Sequence, residues 1–212
     1  MGRLQDAPFP RGGTYFNGNF VTVPTPDTNE FLGGFNYEGK EYWIEDNDSP
    51  GGGYGTGMFV KVRVVRNSTA ANILPGQLVQ LDATSRVLDS ATVLPGTNVN
   101  TIIRTTAVYG YPADEYLPAA GVISGDLFYV VIGGPCLMKT ALTGTVTLVI
   151  DQKVVSGTMA GTTSADAGNV VAQDLTGATA TLGAQIQNAV GRAMSAMSSQ
   201  GTGQPILVNV GA

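Results

Sequence analysis

The stretch "GFNYEGKE", residues 34–41, places Gly34, Gly39 and Lys40 at the spacing of a phosphate-binding loop. In such a loop the backbone amides and the lysine surround the phosphates, and a Ser or Thr in the next place holds magnesium. Here that place is Glu41. No apolar strand precedes the stretch, no helical period follows it, and a negative side chain repels phosphate, so the nucleotide reading fails on context. "EDNDSPGG" brings Glu45, Asp46 and Asp48 together, a set of oxygen ligands suited to calcium. Pro50 and the missing distal Glu break the calcium-loop pattern, and a turn rich in Asx residues explains the stretch more simply. "ADEY" supplies the best carboxylate pair, Asp114 and Glu115. Adjacent residues of an extended chain point to opposite faces, which does not suit an acid–base dyad. The chain has no His, so it holds neither a Ser–His–Asp triad nor a Cys–His pair. Cys136 is the only Cys, which leaves no zinc set and no intrachain disulfide; it reads as a small buried hydrophobe. The expectation is a protein that is not an enzyme and carries no cofactor or metal.

Composition points the same way. Charged residues are 13 % of the 212, against about 25 % in an average soluble domain, while Gly is abundant at 29 residues. The net charge of −5 gives no clustered positive field for nucleic acid. Lys61, Arg63 and Arg66 read as the solvent face of a strand. The N-terminus, "MGRLQDAPFP", has no apolar signal core, and the longest strongly apolar run, "LFYVVI", is too short to span a bilayer as a helix. A soluble, non-secreted protein with neither nucleic acid nor membrane as partner is expected.

Two textures divide the chain. Residues 1–58 are dense in Gly, Pro and Asn and hold most of the aromatics, among them Phe16, Phe20, Phe31 and Trp43. Only "NFVTV" and "KEYWIE" look like strands there, and the prolines block helix and interior-strand pairing. A disordered linker would be poor in aromatics. The segment reads as an extended arm that anchors by its aromatic rings, on its own body or on a neighbour; the alternative is an irregular loop layer on the same domain. Phe16, Phe20, Phe31 and Trp43 are the expected anchors. "SPGGGYGTG", residues 49–57, is a hinge-like break.

From Phe59 onward, residues 59–212, short strands and turns alternate. "FVKVRVVR" has the period of a half-exposed strand. "QLVQLD", "TIIRTTAVYG", "DLFYVVIGG", "CLMKTA" and "TVTLVID" follow, each ended by Gly, Pro, Asp or Asn. The two "LPG" copies are too short to count as a repeat. The spacing predicts an all-β fold, a compact antiparallel β-barrel or sandwich of β-tulip-like form, with the long N-terminal arm appended. Residues 186–197 are ambiguous. Val190, Met194 and Met197 suit a helix, and Gly191 costs that helix only about 1 kcal/mol relative to Ala.

Residues 121–155 combine a strand begun by Gly-Asp, a Gly-Gly-Pro turn, a further strand and another after "LTG". A Thr/Ala/Gly-rich stretch follows, then "AVGRAMSAM" and "PILVNV". This succession resembles the head decoration, or cement, proteins of tailed phages, over roughly residues 59–210. In that family a β-rich domain closes with a "vGrA" strand paired to a final strand, which favours strand over helix near Gly191. The resemblance implies binding to the major capsid protein on the outer surface of an icosahedral head, commonly as a homotrimer, with assembly in the host cytoplasm. It implies reinforcement of the mature shell against internal DNA pressure. The charge-poor second half, where only Lys153, Asp166, Asp174 and Arg192 are charged from residue 153 on, fits a large interface. A tail, fibre or baseplate component is the structural alternative. A carbohydrate-binding module would need an exposed aromatic platform, for which Tyr109, Tyr111 and Tyr116 are the candidates in the body.

Overall fold

The computed structural model describes residues 39–46, 57–67, 71–81, 90–93, 110–140, 147–156, 169–172, 189–196 and 205–211. The described residues are all-β. Their strands are β1 (Glu41–Glu45), β2 (Phe59–Asn67), β3 (Leu78–Leu81), β4 (Ser90–Val93), β5 (Gly110–Pro112), β6 (Leu127–Lys139), β7 (Lys153–Ser156), β8 (Val170–Ala172), β9 (Ala189–Ala193) and β10 (Pro205–Val210). Pairing runs β5-β3-β4-β2-β6-β10-β9-β7-β8, with β1 on β2. The ambiguous stretch is thus strand at Ala189–Ala193, paired with β10 and β7.

Two isolated bridges turn this open path into two closed rings. Ala113, just past β5, bridges Val130 of β6, and Thr140, just past β6, bridges Val170 of β8. The first ring is β2-β4-β3-β5-β6 and the second is β6-β8-β7-β9-β10. They are the same ring built twice, with β6 ending the first and beginning the second. Arg63 faces Val130 as Cys136 faces Val208. Leu78 faces Pro112 as Lys153 faces Arg192, and Val79 faces Val93 as Val154 faces Ala172. Asn67 meets Ala91 in parallel as Thr140 meets Val170 in parallel, so the sheet is antiparallel with one parallel contact per ring. The closing pair Ala113–Val130 matches Ala193–Val208.

The interiors correspond as well. Val65, Ile73, Val79, Ala113, Phe128 and Val130 fill the first ring. Met138, Leu148, Val154, Ala193, Ile206 and Val208 take the matching places in the second. Each ring is fastened by the same turn. Gly76 N–H donates to Ala113 O (3.1 Å) and Ala113 N–H to Gln77 O (2.8 Å); Asp151 N–H donates to Ala193 O (2.8 Å) and Ala193 N–H to Gln152 O (2.9 Å). A third copy links Gly125 to Asn67 O (2.8 Å) and Asn67 to Asp126 O (3.0 Å). The Gly76, Gly125 and Asp151 backbones are left-handed (φ 66°, 89° and 69°). Arg66 and Arg192 each donate to the carbonyl of that left-handed residue, Gly125 at 2.8 Å and Asp151 at 3.0 Å.

Two sequence expectations are corrected. "GGP", residues 133–135, does not reverse the chain: β6 runs through it unbroken for 13 residues. The partners step from Val62–Val131 to Lys61–Gly133, so Ile132 is an extra residue in β6, a bulge at which Gly134 adopts φ 95°. The bulge swaps which alternate residues face which side. Leu127, Tyr129 and Val131 before it therefore share one core with Cys136 and Met138 after it. The outer wall of the first ring continues as the inner wall of the second, and the rings curl to opposite sides of β6. This explains "LFYVVI", an apolar run without alternation, because that half of β6 is buried on both faces. The other correction concerns "TVTLVID". Leu148 is buried, but Val149 and Ile150 are exposed in the turn, and the strand begins only at Lys153. The left-handed Asp151 reverses the chain there, with Gln152 N–H donating to Val149 O (3.1 Å).

Candidate interaction surface

β1 forms because Tyr42 and Ile44 alternate with polar neighbours along the edge of β2. Tyr42 is buried in the core and Ile44 packs on it, opposite Val62 and Val60. The other face of this ladder carries Glu41, Trp43 and Glu45, paired with Arg63, Lys61 and Phe59. Lys61 Nζ and Arg63 Nη2 each lie 2.5 Å from a Glu41 carboxylate oxygen. Burial opposes ionisation of Glu41, but the hydrogen bonds and charges of Lys61 and Arg63 outweigh it and hold the carboxyl below its ordinary range. The basic stretch is therefore ion-paired, with Lys61 and Arg63 sharing Glu41, rather than an open phosphate track, and Arg66 is engaged with the Gly125 carbonyl.

Beside this ion-paired corner the ladder exposes Trp43 (54 %) and, diagonally across from it, Phe59 (61 %), with Met58 (45 %) at its end. Of the expected anchors, Trp43 stands on this face; Phe16, Phe20 and Phe31 lie outside the described residues. The sequence did not single out Phe59 and Met58 as exposed apolar residues of this face. Period assigns Phe59 to a strand, but its exposure follows from pairing with Glu45 at an edge, which local sequence does not reveal.

The other candidates are dispersed. Gly39 and Lys40 of the apparent phosphate loop lead directly into β1, with Gly39 at φ 76° donating to Val64 O (2.8 Å). Asp46 is buried and accepts a hydrogen bond from the Tyr116 hydroxyl (3.0 Å), while Glu45 is exposed and Asp48 lies outside the described residues. Asp114 is buried, and its Oδ1 accepts from Tyr116 N–H (3.4 Å); the Glu115 carboxylate accepts from Leu137 N–H on β6. The pair thus faces separate partners, Asp114 its own turn and Glu115 an amide of β6. Cys136 is buried, as expected of a small hydrophobe. Tyr111 packs on the core of the first ring and Tyr116 holds Asp46, so these two do not form an exposed platform; Tyr109 lies outside the described residues.

No family model matches the chain, and no curated protein matches it. Among solved structures, it is similar to one described as the head fiber gp8.5 N base in bacteriophage phi29. The likeness has a TM-score of 0.35 and 13 % identity, over 70 % of this chain and 92 % of that one.

Proposed function

We propose that the protein is a non-enzymatic structural component of a tailed-phage virion. In this reading it binds the major capsid protein on the outer surface of the head as a homotrimer and reinforces the mature shell. The observation that carries the reading is the pairing of "AVGRA" with "PILVNV", where Val208, Asn209 and Val210 face Ala193, Arg192 and Gly191. That closure is the feature on which the resemblance to head decoration proteins rests. Two filled rings joined without a linker suit a load-bearing role. A protein that binds only the expanded lattice stabilises it by mass action. The test adds the purified full-length chain to expanded heads that lack it and images labelled particles. Trimer-sized density on the outer head, with heads that withstand higher temperature, is the expected result. Label on tails, or none on heads, overturns the proposal.

A further inference from the structure

We propose that the Trp43–Phe59 face is the seat of the chain's own N-terminal segment, residues 12–26. Trp43 and Phe59 are the bulkiest exposed apolar side chains among the described residues. They adjoin each other across the β1–β2 ladder rather than lying scattered. With about half of each ring uncovered, the face offers on the order of 300 Å², counting Met58. A stable globular interface takes about 800 Å² per partner. The size therefore suits a peptide segment and not the body of a second copy.

Charge narrows the choice of segment. Lys61 and Arg63 share Glu41, and Glu45 stands on the same face, so its charges sum to zero and it favours no charged partner. Residues 12–26, "GGTYFNGNFVTVPTP", hold no charged residue and carry Tyr15, Phe16 and Phe20. This segment is also tethered beside its seat. The chain between Pro26 and Gly39 spans up to roughly 40 Å when extended, more than the roughly 17 Å of a five-residue strand such as β1. A tether of that length sets an effective concentration near millimolar, well above that of a second copy in dilute solution.

Trp43 is the only Trp, so intrinsic emission reports this face alone. The full chain is expected to emit blue-shifted light, weakly quenched by acrylamide and unchanged on dilution. The full-length double variant Phe16→Ser/Phe20→Ser is expected to emit to the red, with a several-fold larger quenching constant and unchanged far-ultraviolet circular dichroism. A complementary variant alters only the seat: Phe59→Ser should speed chymotryptic cleavage at Tyr15–Phe20 several-fold. Solvent-exposed emission in the unaltered chain, or no change in either variant, overturns the proposal. A blue shift that fades on dilution also overturns it, because a second copy then supplies the segment. None of these readouts involves a phage head, so the outcome is independent of the proposed function.

Discussion

A side chain at Gly191 has nowhere to go. A Cβ there would run into Asn209 O and lie 2.9 Å from the Val210 Cα, both backbone atoms of the paired strand. Overpacking typically costs about 1–3 kcal/mol, and contact with rigid backbone puts Gly191→Ala at about 3 kcal/mol, read as a lowered urea midpoint. In the sequence the same glycine is only a blemish in a helical period. Its reason lies in β10, which no local window contains. Cys136, by contrast, was legible, because a lone Cys among apolar residues needs no distant partner to be buried. Glu41 gives a prediction with a sign. Its folded pKa lies below the ordinary 4.5, so its stabilisation is present above that value and is lost as pH falls through the folded pKa. The three side chains are about one-third exposed, so Glu41→Gln should cost under about 1 kcal/mol at neutral pH. The difference between variant and parent should vanish in acid, measured by urea unfolding at both pH values.

Strands with one wet face were legible. β2 and β10 follow directly from alternation in "FVKVRVVR" and from "PILVNV". β6 was not, because "GGP" has the composition of a turn and only the register with β2 turns it into a bulge within one strand. The Gly134 position joins a left-handed backbone to a Cβ site 2.9 Å from Phe59 O. Gly134→Ala should therefore cost about 2 kcal/mol, checked by thermal unfolding. Gly133→Ala next to it should cost less, since its Cβ would meet only Lys61 Cβ at 3.5 Å. "TVTLVID" misled for the opposite reason. Exposed Val149 and Ile150 imitate a strand, and Asp151 takes the left-handed conformation for which Gly is the usual signal.

The doubling of the ring is the feature the sequence hid most completely. Gln77 and Gln152, Val79 and Val154, Ala113 and Ala193, and Val130 and Val208 keep their identity between matched positions. Elsewhere only the pairing and the inward apolar character persist, as where Phe128 matches Ile206 or Val65 matches Met138. Fold class survives such drift because turn chemistry and alternation survive it; correspondence between distant segments does not. Because β6 belongs to both rings, unfolding of that strand disrupts both at once. Val130→Ala and Val208→Ala, in different rings, should each lower one and the same cooperative transition by about 2 kcal/mol. Two separate transitions by calorimetry would contradict this. The shared strand also fixes how the molecule carries force. Two domains on a linker would swing like a hinge under load. Here the two rings are continuous through one covalent strand paired antiparallel with β2 and with β10, so there is no joint between them at which to bend.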